Sequence, residues 1–329
     1  MTVSLSDIRA AATRIAGKVE QTATVLSAAL SDRCGVPVHL KMEHRQSTGS
    51  FKLRGASNAI ALLSAEERRR GVVTVSTGNH GRAVAFAASR EGIRAVVCMS
   101  RLVPKNKLDE IDRLGAEIRI VGDSQDNAQV EADRLATEDG MTMVPPFDHP
   151  AVIAGQGTLG PEIVEAVPDV DTVIVPVSGG GLAAGIAAAV KAVRPSARIV
   201  GVSMRRGAAM KTSLGAGRPV SVMELPTLAD SLGGGIGLEN RLTFAMCGSL
   251  LDDLVTLSER EIGDGVRHAY AVEREVVEGA AAVGIGAILA GKISPRGATL
   301  LLLSGRNIDM EMHRKVIGGA DPFAVEDAA

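Results

Sequence analysis

Eight short runs rich in β-branched residues recur along this chain, separated mostly by segments with helical character. They are Val36–Lys41, Val72–Ser76, Ala95–Met99, Glu117–Val121, Thr172–Val177, Arg198–Ser203, Leu254–Leu257 and Thr299–Ser304. Several are apolar throughout, where a strand with one wet face would alternate, so they read as strands buried on both faces. Strand–helix alternation of this kind implies an α/β fold of open, twisted, mostly parallel sheets flanked by helices. Between the runs, Leu5 to Ala16 carries Ile8, Ala11, Ala12 and Ile15 on one helical face. Ser64-Ala65-Glu66-Glu67 and Ser258-Glu259-Arg260-Glu261 match the capping box. Pro104 before Lys105–Leu114 and Gly115 after it punctuate a further helix. The apolar stretch Val152–Val167 reads as one continuous helix.

The series divides after Pro145-Pro146-Phe147. The runs near 73, 96 and 118 form a compact set, so a small domain, 48–148, is expected between two parts of a larger one, 1–47 and 149–329. A chain of 329 residues is long enough for both. Its net charge of −2, with acids and bases intermixed, gives no electrostatic footprint for nucleic acid or an anionic membrane. Aromatic residues make up 2% of the chain and tryptophan is absent, which removes the usual base-stacking platforms. Cys34, Cys98 and Cys247 are far apart and read as free thiols, with Cys98 in the core. The six dispersed histidines have no metal-ligand spacing, so no metal site is expected. The N-terminus lacks a secretory pattern and the apolar runs are too short to span a bilayer, so a cytoplasmic location is expected.

Three loops stand where strands give way to helices. Thr48-Gly49-Ser50-Phe51-Lys52-Leu53-Arg54-Gly55 carries a lysine at a helix start, where the helix dipole and Arg54 disfavour the ammonium form. A free amine there can form a Schiff base; the alternative is an ordinary solvated lysine. Ser76-Thr77-Gly78-Asn79-His80-Gly81 opens a helix with N–H groups suited to a carboxylate or phosphate, or serves simply as a helix cap. Ser178-Gly179-Gly180-Gly181-Leu182 lets three glycines form a nest of N–H donors against a phosphate, though a tight turn would use the same residues. At the end of the last run, Ser304-Gly305-Arg306-Asn307 lies where strand ends line a ligand crevice, or caps the following helix. The glycine-rich stretch Asp230–Gly237 is either a loop close to a ligand or a connector. Glu278 either faces the site or serves as a dipole partner of the helix that follows.

The ordered set of landmarks, Ser50–Gly55, Ser76–His80, Ala154-Gly155-Gln156-Gly157-Thr158, Ser178–Leu182 and Ser304–Asn307, resembles the threonine dehydratase and serine racemase family. The resemblance covers about Ile8 to Arg314 and implies the fold-type II, tryptophan synthase β-like architecture, with pyridoxal 5′-phosphate as cofactor. It implies that Lys52 holds the cofactor as a Schiff base and that Phe51 lies against its ring. Asn79 would meet the 3-oxygen, Ser304 the pyridine nitrogen, and Gly179, Gly180, Gly181 and Leu182 the phosphate. Ser76, Thr77 and the N–H groups around Asn79 and His80 would hold the substrate carboxylate. Lys52 would take the α-proton. A neutral serine at the ring nitrogen favours β-elimination of water, giving a 2-oxo acid and ammonia.

Departures from the family shape the expectation. Thr77 stands where serine racemases have a catalytic serine, and Ser203-Met204-Arg205-Arg206-Gly207-Ala208-Ala209 lacks their metal-binding acids. Ser178 replaces the first of four glycines, and Glu278-Gly279 replaces a Glu-Pro pair. Cys98–Pro104, Asp230–Gly237 and Leu303–Met310 look closest to dehydratases of hydroxyectoine utilisation, which would make a hydroxylated diamino acid or a related ectoine breakdown product the substrate. The resemblance implies a homodimer or homotetramer. The alternatives are a racemase, a β-replacement enzyme, and a non-catalytic phosphate-binding module.

Overall fold

A computed structural model of the chain describes residues 2–76, 78–101, 105–123 and 125–323. Its strands are β1 (Thr24–Leu26), β2 (Val38–Lys41), β3 (Val72–Val75), β4 (Ala95–Met99), β5 (Glu117–Ile120), β6 (Thr142–Met143), β7 (Thr172–Pro176), β8 (Arg198–Met204), β9 (Asp253–Leu257) and β10 (Thr299–Leu302). They form a six-stranded sheet, ordered β1-β2-β10-β7-β8-β9, and a four-stranded sheet, ordered β5-β4-β3-β6. Every described pairing is parallel except β1 with β2. All eight expected strands are present, and the expected α/β architecture with them.

The continuous apolar runs are central strands covered on both faces, as their composition requires. In β7, Val173 and Val175 pack into one core while Ile174 enters the other. Leu300 and Leu302 of β10 divide from Leu301 in the same way. The small sheet repeats the arrangement, with Val97 on one face and Val96 and Cys98 on the other. Its edge strand β5, with charged Glu117 and Arg119, is only partly covered.

Helix punctuation follows the sequence closely. Ser64 and Ser258 each complete a capping box, with Glu67 and Glu261. The expected helix Val152–Val167 is instead two helices, Pro150–Gly157 and Leu159–Ala166, meeting at Thr158. Pro161 is the physical reason. It has no N–H to offer the carbonyl four residues back, and its ring crowds that position. Among the described residues, no helix is long and apolar enough to cross a membrane.

Candidate active site

Lys52 is the first residue of the helix Lys52–Ala61. The loop before it is pinned to the end of β10. Ser50 and Gly305 form an antiparallel bridge, Phe51 donates its N–H to the Ser304 carbonyl at 3.1 Å, and Arg306 donates to the Gly49 carbonyl at 2.9 Å. Lys52 Nζ donates to the Pro146 carbonyl at 2.7 Å and lies 5.4 Å from the centre of the Phe51 ring. Burial takes the Lys52 amine down to about 8, because the ammonium form is penalised away from water.

The direction matches the sequence expectation, but the cause is corrected. Arg54 does not act on the amine, because its charge is neutralised on the spot. Its guanidinium grips Glu43 at 2.8 and 2.9 Å and Glu162 at 2.6 Å. Burial works against that charge, but the two carboxylates outweigh it and push the Arg54 pKa up. Lys41 completes the cluster 2.6 Å from Glu162.

Three helices are stacked to bring Lys52 and the glycine loop together. A Cβ on Gly155 would lie 2.5 Å from the Arg54 carbonyl oxygen, and one on Gly185 would lie 2.7 Å from Gly157 Cα. The helix Pro150–Gly157 therefore packs backbone to backbone between Lys52–Ala61 and Gly181–Val193, which is why Ala154-Gly155-Gln156-Gly157 contains two glycines. Gly180 has a left-handed φ of 88° at the start of Gly181–Val193. A Cβ there would meet Met210 Cε at 2.7 Å and Cys247 Sγ at 2.9 Å. Phe147 lies against Gly179 and Gly181, so the Pro146–Phe147 segment touches both the Lys52 amine and the glycine loop. Leu182 is buried in the first turn of the helix.

The third loop approaches from the small sheet. Ser76 Oγ accepts from the Gly78 N–H at 3.3 Å, and Asn79 opens the helix Asn79–Arg90. Thr77 lies outside the described residues. His80 Nε2 lies 2.8 Å from the Val144 carbonyl, so this nitrogen carries the proton and donates. Burial first, and the nearby Lys52 charge second, press the His80 pKa down to about 3 and keep the ring neutral. One ring nitrogen is thus committed to the chain itself, while the buried Nδ1 has no hydrogen-bond partner. Asn79 Nδ2 donates to Glu278 Oε1 at 2.9 Å, so Glu278 faces the site. That carboxyl is raised to about 7 by burial and then by Asp230, and a Cβ on Gly305 would strike it.

The family model described as pyridoxal-phosphate dependent enzyme matches residues 15–305. The chain belongs to this family. It is 59% identical over 326 residues to a Sinorhizobium fredii protein provisionally named a threonine dehydratase, covering 99% of this chain and 98% of that one. It is 41% identical over 316 residues to the L-threonine ammonia-lyase of Thermotoga maritima, covering 96% and 78%. Maize serine racemase superposes with a TM-score of 0.90 at 32% identity, covering 97% and 98%. This pyridoxal-phosphate enzyme is therefore threonine dehydratase-like, with the same fold as a serine racemase.

The residues present fit that cofactor. Phe147, Met210, Cys247 and Gln156 close in on Gly179, Gly180 and Gly181 so tightly that a side chain on any of the three would clash, which leaves backbone N–H groups at a helix N-terminus as what the loop presents. Gln156 is buried beside Gly181, and neither its amide oxygen nor its nitrogen has a hydrogen-bond partner. A buried amide left in that state is costly unless a ligand or water takes it up. Sequence reasoning missed Gln156 as a polar group of the site; its place between two glycines was the available signal. It also passed over Asn307, whose side chain joins Thr48, Asn79 and Arg82, although the Ser304–Asn307 motif contained it.

Proposed function

We propose that this enzyme is a dehydratase and ammonia-lyase that removes water from a hydroxylated, threonine- or serine-like amino acid. The observation that carries the proposal is the buried Lys52 amine, with its pKa near 8, in contact with the segment that covers the glycine loop. When bound, pyridoxal phosphate supplies an electron sink for the charge left on the α-carbon after proton loss. Lys52 would hold the cofactor through its Nζ, and that nitrogen, when free, would take the α-proton. A lowered pKa keeps a larger share of that nitrogen unprotonated near neutral pH. Gly179, Gly180, Gly181 and Leu182 would hold the cofactor's phosphate through N–H groups, with Phe51 against its ring, Asn79 as the donor toward its 3-oxygen and Ser304 toward its ring nitrogen. Ser76, Thr77 and the backbone at Asn79 and His80 orient the substrate carboxylate. Ser304 brings a hydroxyl and no charge, which favours early departure of the β-hydroxyl over transamination. The net products are a 2-oxo acid and ammonia.

The finer substrate proposal is a hydroxylated diamino acid from hydroxyectoine breakdown. The acidic group of Asp230 acting on Glu278 and the glycines of 230–237 support it, since they offer a longer, cationic substrate both space and negative charge. Racemisation is the second reading, favoured by the likeness to maize serine racemase. Residues 1–47 and 149–329 as a large domain and 48–148 as a small one, a homo-oligomeric state and a cytoplasmic location belong to the same proposal.

The test is the absorption spectrum of purified protein supplied with pyridoxal phosphate, repeated on Lys52→Ala. A visible band in wild type that the variant loses supports the lysine assignment; an identical band in both overturns it. Release of 2-oxo acid from threonine, serine or a hydroxylated diamino acid then ranks the substrates. Turnover of O-acetylserine with sulfide, or inversion without 2-oxo acid, would replace the dehydratase reading.

A further inference from the structure

Four side chains beside the site form an unbroken line of hydrogen bonds. Arg82 Nη1 donates to Asn307 Oδ1 at 2.9 Å, Asn307 Nδ2 donates to Asn79 Oδ1 at 2.5 Å, and Asn79 Nδ2 donates to Glu278 Oε1 at 2.9 Å. The direction of this line is forced by its ends. A guanidinium can only donate and an ionised carboxylate can only accept, so the two amides between them have one consistent orientation. Reversing either amide would set N–H against guanidinium or oxygen against carboxylate. Asn307 is held further by the Thr48 carbonyl at 2.9 Å, and Glu278 Oε2 by the Asn307 backbone N–H at 3.1 Å. The other contact of Asn79 Nδ2, to Ser231 Oγ, is 3.5 Å, the outer limit of a hydrogen bond.

We propose that Glu278 and Arg82 are the charged ends of a one-way relay that fixes how Asn79 presents its amide to the cofactor, making Glu278 and Arg82 positioning residues. The proposal rests on the assignment of Asn79 to the cofactor made above. With one Nδ2 hydrogen directed to Glu278 and Oδ1 held by Asn307, the second Nδ2 hydrogen is what Asn79 has left to donate to its remaining neighbour. That suits an anionic ring oxygen. Without the relay the amide can rotate, and half of its orientations turn oxygen toward oxygen.

Ionisation of Glu278 is part of the device. Facing it are the Asp230 charge, Ser231, Asn79 and the Asn307 N–H, and Arg82 acts on it from the helix Asn79–Arg90 while itself facing Glu110 and Arg113. The carboxyl near 7 makes the relay weaken as pH falls through neutrality.

The experiment is titration of cofactor-free protein with pyridoxal phosphate from pH 6 to 8, comparing wild type with Glu278→Gln by absorption and fluorescence. A hydrogen bond to a charged group supports an expected loss of roughly tenfold or more in affinity at pH 8. The drop in wild-type affinity on acidification should be smaller in the variant by the same factor. A purely structural glutamate would lower the melting temperature and leave the pH step in place. Wild-type affinity or an unchanged pH step in Glu278→Gln overturns the relay, while leaving the Lys52 spectral test standing. If circular dichroism shows that Glu278→Gln fails to fold, Arg82→Gln, on a half-buried residue, takes its place. It removes the donor end and should weaken cofactor binding severalfold, and no change would overturn the relay.

Discussion

Replacing Gly180 with alanine tests the cradle, because a second glycine in the chain isolates one part of the cost. Gly180 and Gly217 both have left-handed backbones, with φ of 88° and 68°. A Cβ on Gly217 would meet nothing within 4 Å, whereas on Gly180 it would meet Met210 Cε at 2.7 Å, Cys247 Sγ at 2.9 Å and Thr243 Cβ at 3.1 Å. Placing an L-residue in this region costs ~1–2 kcal/mol, offset by ~0.4–1 kcal/mol from the stiffer unfolded chain. Gly217→Ala should therefore destabilise by about 1 kcal/mol from these two effects together. Overpacking adds ~1–3 kcal/mol, and the flexible Met210 terminus can yield, whereas Thr243 Cβ, next to its own backbone, cannot. Gly180→Ala should then destabilise by about 2–4 kcal/mol. The assay is urea unfolding of both cofactor-free variants followed by circular dichroism. Pyridoxal phosphate affinity should fall sharply in Gly180→Ala and stay near wild type in Gly217→Ala. Equal destabilisation of the two variants would refute the crowding, and unchanged affinity in Gly180→Ala would refute the cradle.

Two further outcomes concern the buried cations. The folded-state pKa of Lys52, about 8, lies below its ordinary value of 10.5, so between these values the unfolded chain holds more protons and stability rises with pH. Lys52→Leu should abolish that rise in the cofactor-free protein and make it more stable at pH 7 by an amount on the order of a few kcal/mol; thermal melts from pH 7 to 10 that climb equally in both proteins would count against it. Arg54→Met should destabilise by ~3–5 kcal/mol, because it leaves the buried Glu43 and the partly buried Glu162 with one cation fewer, and an unchanged urea midpoint would show that the cluster carries no such cost.

The sheets were legible because their central strands are buried on both faces and so are apolar at consecutive positions. What escaped were β1 and β6, at three and two residues too short for any periodicity to register. The break at Thr158 was masked by the apolar character on both sides of it, although Pro161 was in view. In the site, the loops around Lys52, Asn79 and Gly180 each lie at the start of a helix, because anion-binding backbone and small residues go together locally. The partners of those loops are non-local. Glu278 reaches Asn79 across 199 positions, and Asn307 reaches it across 228. No spacing rule connects such residues. Glu278 was visible as an acid in an apolar setting, but which of its two roles applied depended on the loop after β10.

Lys52 and Arg54 show why the amine pKa could be foreseen in direction and not in cause. Two residues apart on one helix, both leave water, and a cation that leaves water has two outcomes. Arg54 cannot lose its proton at accessible pH, so the fold gives it Glu43 and Glu162 and, with Lys41, balances the charges locally. Lys52 receives a main-chain carbonyl and no carboxylate, and a group so placed answers its burial with a lowered pKa, here about 8. Had Glu43 reached the amine, Lys52 would be a stable ammonium and a poor nucleophile. Residues two apart on a helix point to different sides, so Arg54 meets Glu43 and Glu162 while Lys52 Nζ meets the Pro146 carbonyl, and the amine is left without an anionic partner, which is the condition for it to act as a base.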